Sequence, residues 1–268
     1  MTQELQLQFL GTGTSTGVPA IGCDCAVCRS DSPRNKRLRC AALVRAGDTT
    51  VVVDTGPDFR TQMLRADVKR LDAVLLTHSH ADHIVGLDDV RRYNYLQKQV
   101  LDCWALPETL DIVRRAFGYA FRDTLKPGLP GLQAKPFRPG EAFTIGELEV
   151  TPLAVDHVVI PCAGFVFRQR DKTERIAYMV DCKRLPPATE KALEEIDILV
   201  LDMLRPQEHP RHFNLEEALT VVDRLRPGET WFTHAAHEVE HATIDEQLPR
   251  GIRMAYDGLV IRLTETAS

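Results

Sequence analysis

The sequence has no apolar run that approaches the roughly 20 residues of a membrane-spanning helix, so an integral membrane protein is not expected. It also has no internal repeats and no low-complexity linkers. The first residues, Met1-Thr2-Gln3-Glu4, are not a basic targeting leader, which makes the cytoplasm the default location. A formal charge of −5 supplies no general attraction to nucleic acid.

Cysteine occurs in an odd number, seven, and we identify no signal peptide, so a disulfide framework is not expected. Three cysteines cluster in the segment Gly22-Cys23-Asp24-Cys25-Ala26-Val27-Cys28. The Cys25-x-x-Cys28 spacing is that of a zinc knuckle, and Cys23 adds a third thiolate within reach of one tetrahedral ion. The alternative is three buried or disulfide-bonded cysteines. The others are predicted to be reduced packing residues: Cys40, Cys103, Cys162 and Cys182.

A dense group of metal-ligand side chains follows the apolar run Ala73-Val74-Leu75-Leu76 in the segment Thr77-His78-Ser79-His80-Ala81-Asp82-His83. A strand that ends in this way places its polar residues at the carboxyl edge of a sheet, where open α/β sheets bind ligands. His78 and His80 would face one side of an extended segment, whereas Asp82 and His83 can serve a different centre. Imidazole and carboxylate are usual ligands of divalent metals, so the segment predicts a metal site. A solvated loop with chance histidines is the alternative.

Three further ligand types each follow a short strand-like run. His157 comes after the segment 146–153, Asp181 after 176–180, and His234 after 230–233. Any one of them alone is more often a hydrogen-bonded structural residue than a ligand. Together with the 77–83 cluster they make seven ligands, enough for two metals and a shared carboxylate.

The chain alternates strand and helix patterns. The predicted strands lie near 4–10, 41–46, 50–54, 72–77, 147–153, 163–168, 175–180, 197–202, 229–233, 252–255 and 259–263. The predicted helices lie near 58–66, 84–95, 107–121, 187–195 and 214–226, the last with a capping box from Asn214 and Glu217. The 107–121 and 214–226 helices are expected to pack internally. At 268 residues and 44% apolar content, a single domain spanning 1–268 is expected.

These features resemble the metallo-β-lactamase fold superfamily of metallohydrolases. The residues that carry the resemblance are Leu10-Gly11-Thr12-Gly13, Val53-Asp54-Thr55-Gly56, the 77–83 cluster, His157, Asp181 and His234. Within it, the chain is most similar to the phosphoribosyl 1,2-cyclic phosphate phosphodiesterase branch of the carbon–phosphorus lyase pathway and to related bacterial proteins. That branch carries an inserted Gly-Cys-x-Cys-x-x-Cys loop, which here is 22–28. The resemblance implies an α/β (α+β) fold: a four-layer αββα sandwich of two facing mixed sheets with helices outside.

The resemblance also implies which residues hold metals. One ion would be held by His78, His80 and His157, the other by Asp82, His83 and His234, with Asp181 between them. A structural zinc would be held by Cys23, Cys25, Cys28 and His237.

Three residues receive other roles from the resemblance. Asp82 counts as catalytic as well as a ligand, and Asp54 would orient a metal-binding histidine. His212 matches a family histidine that contacts phosphate or helps the leaving oxygen depart. The alternative for His212 is a surface loop histidine.

The expected function is metal-dependent hydrolysis of a small cyclic or nucleotide-like phosphodiester, by a hydroxide that two divalent ions about 3.5–4 Å apart activate. Ligand type permits zinc or manganese in this pair. A tRNA 3′-processing-type endoribonuclease shares the ligands, but its long tRNA-binding arm has no comparable insertion here. A thioester or β-lactam hydrolase remains open. A di-iron redox protein is disfavoured, because such relatives have glutamate at the position of His80. A non-catalytic, metal-free binding module is disfavoured by the intact ligand set.

Two expectations concern partners. A nucleic-acid partner is not expected, and a homodimer is the default oligomeric state. The basic segment Arg34-Asn35-Lys36-Arg37-Leu38-Arg39 is either a solvated cationic loop or a rim that faces phosphate.

Overall fold

The computed structural model describes residues 4–263. The start Met1-Thr2-Gln3, on which the expectation of location partly rests, lies outside the described residues. Within 4–263, no helix combines the length and the apolar character that crossing a bilayer requires.

Two seven-stranded mixed sheets form the centre of the fold. The first has the order β14-β1-β2-β3-β4-β5-β6, from β1 (Gln6–Gly11), β2 (Ala41–Ala46), β3 (Thr49–Val53), β4 (Ala73–Leu75), β5 (Leu101–Ala105), β6 (Leu132–Pro136) and β14 (Val260–Arg262). The second has the order β13-β12-β11-β10-β9-β8-β7, from β7 (Phe143–Ile145), β8 (Leu148–Asp156), β9 (Pro161–Gln169), β10 (Arg175–Met179), β11 (Ile198–Asp202), β12 (Glu229–Thr233) and β13 (Ile252–Met254).

The helices lie between these strands in the chain. They are α1 (Ala26–Arg29), α2 (Phe59–Arg65), α3 (Ala81–Ile84), α4 (Arg91–Gln97), α5 (Pro107–Ala116), α6 (Pro187–Leu193), α7 (Leu215–Leu225) and α8 (His241–Gln247), with 3-10 turns at Pro33–Asn35 and Leu87–Val90. Asn214 and Glu217 form the predicted capping box of α7, which satisfies two backbone groups at its first turn.

The apolar residues form three layers, which is the signature of the expected αββα sandwich. Successive residues of a strand face opposite sides of the sheet, and Leu43 and Val44 of β2 show this directly. Val44 joins Phe165 of β9 in the cluster between the two sheets, while Leu43 packs against Phe59 of α2 in the outer cluster. The second sheet has its own outer cluster, in which Val221 of α7 takes part. The four-layer fold is therefore confirmed.

The structure differs from the predicted elements around residues 81–97. One helix was expected over 84–95, but the chain forms α3, a 3-10 turn and α4. Gly86 explains the break, because an added Cβ there would lie 2.2 Å from the carbonyl oxygen of Gly56. The N–H of Gly86 donates to the carbonyl of Thr55 at 2.8 Å, so the helix ends where the chain packs against the Asp54–Gly56 turn.

Other differences are smaller. The helix expected over 107–121 ends at Ala116, because Phe117 leaves the helical region with φ −124°. Strands β5 and β6 were not predicted, since their sequences lack β-branched residues, and β7 was not predicted because it is only three residues long. Pro136 is tolerated in β6 because that strand lies at the edge of its sheet.

Candidate functional site

The predicted ligands follow strands whose ends share an edge. In the second sheet β10, β11 and β12 run parallel, so their carboxyl ends bring Asp181, Asp202 and His234 to one place. In the first sheet β4 leads directly to the 77–83 cluster. A hydrogen bond from the N–H of Ala163 in β9 to the carbonyl of Thr77, at 3.0 Å, ties the two sheet ends together.

Three of these turns use an unusual backbone conformation. Asp54, Asp181 and His234 have φ values of 66°, 52° and 64°, in the left-handed region that residues other than glycine rarely adopt. Such conformations cost free energy and persist where the surroundings enforce them, often at functional sites. Each of the three follows the end of a strand, so the chain turns off the sheet at the residue that supplies the carboxylate or imidazole.

His78, His80 and His157 form one histidine group, as predicted. The Nε2 atom of His78 lies 2.9 Å from Nδ1 of His80, and Nε2 of His157 lies 3.3 Å from the same atom. Each residue offers a ligand atom within 4.8 Å of the others. Burial lowers the pKa of His157 to about 4 and that of His78 well below the usual range, so both rings are neutral at pH 7. Neutral imidazoles are ready to bind a metal ion.

Asp82, His83, Asp181 and His234 form a second group beside the first. Nε2 of His83 lies 3.3 Å from Oδ2 of Asp82 and 3.2 Å from Oδ2 of Asp181. The other carboxylate oxygen of Asp181 lies 3.3 Å from Nε2 of His234. Asp181 also belongs to one potential metal-binding set with His78 and His83, and to another with His157. It therefore lies between the two groups.

The charges in the second group depend on one another. Burial opposes ionisation of Asp181, but the positive charges of His234 and His83 hold its pKa well below the usual range. Burial lowers the pKa of both His234 and His83. The negative charge of Asp181 raises both pKa values again, together with Asp202 for His234 and with Asp54 for His83. The pKa of His234 is raised to about 9, and that of His83 is raised well above its usual value. Without a metal, these two rings therefore carry protons at neutral pH.

Several buried polar atoms of the site lack a hydrogen-bond partner, and this tests whether the residues fit a metal. They are Oδ2 of Asp181, both ring nitrogens of His234 and Nδ1 of His157. An unsatisfied buried polar group costs about 1–3 kcal/mol. Oxygen and nitrogen donors that converge without satisfying one another suit divalent cations, which would also remove the protons of His83 and His234. The residues therefore fit the two metals that the fold family implies.

Asp54 orients the 77–83 cluster by binding Thr77 and the ring nitrogen of His83 that is not directed at the other ligands. Its carboxylate accepts from the N–H of Thr77 at 2.9 Å, from the Thr77 hydroxyl at 2.8 Å and from Nδ1 of His83 at 2.7 Å. Since the only hydroxyl proton of Thr77 goes to Asp54, its oxygen accepts from Nδ1 of His78 at 2.9 Å. Both histidines thus present Nε2 to the metal site.

His212 lies inside the site, so its interpretation as a surface histidine is wrong. It is only 9% exposed, and its ring stacks on that of His234 at 4.8 Å between centroids and lies 5.2 Å from that of His157. Nδ1 of His212 is bound to Oδ2 of Asp202 at 2.7 Å, which leaves Nε2 available. Asp202 is fully buried. Sequence analysis missed Asp202, although it ends an apolar run just as Asp181 follows one.

Cys23, Cys25, Cys28 and His237 come together at a separate place. Nδ1 of His237 lies 3.2 Å from Sγ of Cys23 and 3.5 Å from Sγ of Cys25, and all four residues offer atoms within 4.8 Å of one another. The N–H of Cys28 and the nearby His237 lower the pKa of Cys25 to about 6. None of the seven cysteines is paired, so the disulfide alternative is wrong. The set has the composition of a tetrahedral zinc site.

The basic segment 34–39 is solvated only in part, because Arg34 and Lys36 are exposed whereas Arg37 and Arg39 are not. Arg37 is buried, and the guanidinium of Arg39 forms an ion pair with Asp58 at 3.1 Å. Lys36 donates to the carbonyl of Cys28 at 3.2 Å, and Arg34 lies over the ring of Tyr256 at 4.6 Å. These cations hold neighbouring segments together, which a count of charges along the sequence does not reveal.

Known proteins resemble this chain in both sequence and structure. A family model described as a β-lactamase superfamily domain matches residues 49–235. A solved diphosphatase of the PhnP family is 36% identical, with a TM-score of 0.89 over 98% of each chain. An octanoyltransferase of Porphyromonas gingivalis is 36% identical over 254 residues, which is 94% of this chain and 50% of that protein.

A ribonuclease Z of Bradyrhizobium sp. (strain ORS 278) is 30% identical over 166 residues, covering 60% of this chain and 49% of that protein. The chain spans about half the length of the octanoyltransferase and of this ribonuclease Z. The family model and the diphosphatase structure both cover most of the chain, including the residues that converge at the strand ends. The chain therefore belongs to the metallo-β-lactamase superfamily.

Proposed function

We propose that this chain is a metal-dependent phosphodiesterase that hydrolyses a small cyclic or nucleotide-like phosphodiester. The observation that carries the proposal is the pair of histidine groups with Asp181 between them, in which Oδ2 of Asp181 and both ring nitrogens of His234 are buried without a hydrogen-bond partner. The relatedness to a diphosphatase of the PhnP family supports chemistry at phosphorus. We further propose that residues 1–268 make a single hydrolase domain.

His78, His80 and His157 would hold one ion, and Asp82, His83 and His234 the other, with Asp181 shared. Two divalent ions in such a site supply activation of water near neutral pH and neutralisation of charge on a phosphate. The donor set accepts zinc or manganese. Cys23, Cys25, Cys28 and His237 would hold a structural zinc, because thiolates select this ion and four protein ligands leave no position for water.

His212 has the geometry of a proton donor. Its Nδ1 donates to the Asp202 carboxylate, which fixes the orientation of the imidazole ring. His212 shares a potential ligand set with His157 and Asp181, and its Nε2 atom is not taken up by Asp202. A protonated His212 could therefore donate from Nε2 to a phosphoryl oxygen or to the departing alkoxide.

Diphosphate hydrolysis is the second candidate, because the solved relative that matches this chain over 98% of its length is a diphosphatase. Cleavage of RNA is a third, supported by the 30% identity to a ribonuclease Z over 60% of the chain. The acidic chain, with a formal charge of −5, gives less support to a nucleic-acid partner. We also propose that the chain forms a homodimer, which is the commonest oligomeric state.

Turnover by the zinc- or manganese-reconstituted protein tests these functions directly. The panel contains ribose cyclic phosphates, cyclic nucleotides, dinucleoside diphosphates, and short RNAs with a 3′ extension. The proposal expects the highest kcat/KM on a small cyclic or nucleotide-like phosphodiester. Preference for the diphosphates or for RNA would replace it with the second or third candidate, and no turnover of any phosphate ester would contradict all three.

A further inference from the structure

Arg37 is a buried cation whose hydrogen bonds, within the described residues, go to neutral acceptors. It is 2% exposed. Its Nη1 donates to the carbonyl of Ala236 at 3.1 Å, and its Nη2 donates to the carbonyl of Val239 at 2.8 Å and to the side-chain oxygen of Asn35 at 3.3 Å. Because burial of a charge without an ion-pair partner is costly, the position of this guanidinium calls for a reason.

The two carbonyls lie on either side of His237 in the chain, and His237 contacts Cys23 and Cys25. The same segment starts at His234, which faces Asp181 in the other proposed metal centre. The short stretch 234–239 after β12 thus supplies a ligand to each of the two proposed sites. Arg37 binds this stretch at two carbonyls, those of Ala236 and Val239.

The backbone of Arg37 binds Val18, which in turn packs against the cysteine loop. Its N–H donates to the carbonyl of Val18 at 2.7 Å, and its carbonyl accepts from the N–H of Val18 at 2.9 Å. Val18 packs against Val27 and Cys28 in the small apolar cluster beneath the loop. Arg37 is therefore linked to the cysteine loop through Val18, which its backbone binds, and to the His234–Val239 segment through its own side chain.

The guanidinium is suited to this place by its shape. Burial lowers the pKa of Arg37 to about 10, which still leaves it charged at neutral pH. A planar fork can bind two separated carbonyls through two different nitrogens, here Nη1 and Nη2, whereas the ammonium of lysine carries its three N–H groups on one nitrogen. An aliphatic residue would avoid the cost of burying charge but would leave both carbonyls without these donors.

We propose that Arg37 is a positioning residue that couples the cysteine site to the metal centre containing His234. Order at the cysteine loop is passed through the guanidinium to the Ala236 and Val239 carbonyls, and so to the orientation of His234. The inference rests on the two metal sites of the proposed function, but it does not depend on the substrate.

A double-mutant cycle with zinc tests the coupling. The four proteins are wild type, Cys25→Ser, Arg37→Met and the double variant, and each is titrated against a chelator. Release of zinc from the cysteine site exposes thiols, which a thiol reagent detects. Zinc that is released without exposing thiols is assigned to the His–Asp centre. Loss of the cysteine site should weaken zinc at the His–Asp centre about tenfold when Arg37 is present, and by less than twofold in the Arg37→Met background.

Two further variants separate positioning from general stability. Arg37→Lys keeps the charge and should behave like Arg37→Met, because one nitrogen cannot occupy the positions of both Nη1 and Nη2. Arg45→Met is the matched control, because Arg45 is also partly buried but binds Gln8, which belongs to neither site. This variant should keep the wild-type coupling. If Arg37→Met does not yield folded protein, Arg37→Lys takes its place in the cycle.

Additive effects of the two substitutions, or wild-type coupling in Arg37→Lys, would overturn the inference. The zinc affinities need no substrate, so they remain measurable even if every phosphate ester fails in the activity panel. An inactive wild type that still shows the coupling would contradict the proposed function alone.

Discussion

The carboxylate of Asp202 accepts a hydrogen bond from Nδ1 of His212 at 2.7 Å, and its other oxygen lies 3.6 Å from Nδ1 of His234. One buried carboxylate thus faces the proposed proton donor and a proposed metal ligand. Oδ2 of Asp202 also accepts from the N–H of Cys182 at 2.8 Å, which fixes the side chain. Asp202 therefore determines which nitrogen of His212 is left for the site.

Replacing Asp202 with Asn tests this role. An amide offers one acceptor oxygen in place of two, and its NH₂ group is a donor that cannot accept the Nδ1–H of His212. We expect kcat to fall about 10- to 100-fold, the usual cost of losing such a supporting group. Nitrogen NMR of the labelled histidines should show the tautomer or protonation state of His212 changing. Unchanged spectra and an unchanged kcat would contradict the assignment.

His212→Ala should keep its full metal content while it loses turnover. If His212 protonates the leaving oxygen, its loss should cost roughly 10²–10⁴-fold on an alkyl phosphodiester and less on an activated aryl ester, whose leaving group needs no proton. Kinetics on both esters together with elemental analysis give the answer. Equal losses on both esters would point to phosphate binding instead, and an unchanged rate on each would refute any role in the reaction.

Metal binding at the two groups should depend differently on pH. His157, with a pKa of about 4, and His78 are already neutral, whereas His234, with a pKa of about 9, and His83 must lose protons to become ligands. Between pH 7.5 and about 9, affinity should therefore rise with pH for the ion bound by His83 and His234 and stay nearly constant for the other. Calorimetry in buffers of different ionisation enthalpy counts the protons released. Equal proton release in both binding steps would contradict this assignment.

Cys25→Ser should remove the structural zinc. With metal at saturation the chemical step should change little, because the cysteine site has no open position for a reactant. The melting temperature should fall by about 5 °C or more, because bound zinc stabilises the folded state. Cys103→Ala is the control, since Cys103 is buried but belongs to neither site. A chelator should lower the melting temperature of the control and of wild type by more than that of Cys25→Ser, because only the first two proteins lose the zinc of the cysteine site. A Cys25→Ser protein that melts like wild type and keeps three metals would refute the prediction.

The sequence was sufficient for the parts of the fold and site that local patterns encode. The 77–83 cluster could be found because its ligands are adjacent, and His157, Asp181 and His234 because each follows an apolar strand. Asp202 shows the limit of such patterns, since it ends a strand in the same way, yet its partners become apparent only when β11 and the loop with His212 are brought together. Arg37 shows it more clearly, because its acceptors lie about two hundred residues away in the sequence.

The central claim is that Asp181 lies between two metal ions, and its replacement by Ala tests this directly. The measurement is elemental analysis of the folded, metal-reconstituted variant after gel filtration, beside wild type. The account predicts three metals per wild-type chain and one in Asp181→Ala, the ion held by the cysteine site, together with loss of turnover. An Asp181→Ala protein that retains all three metals would contradict the account.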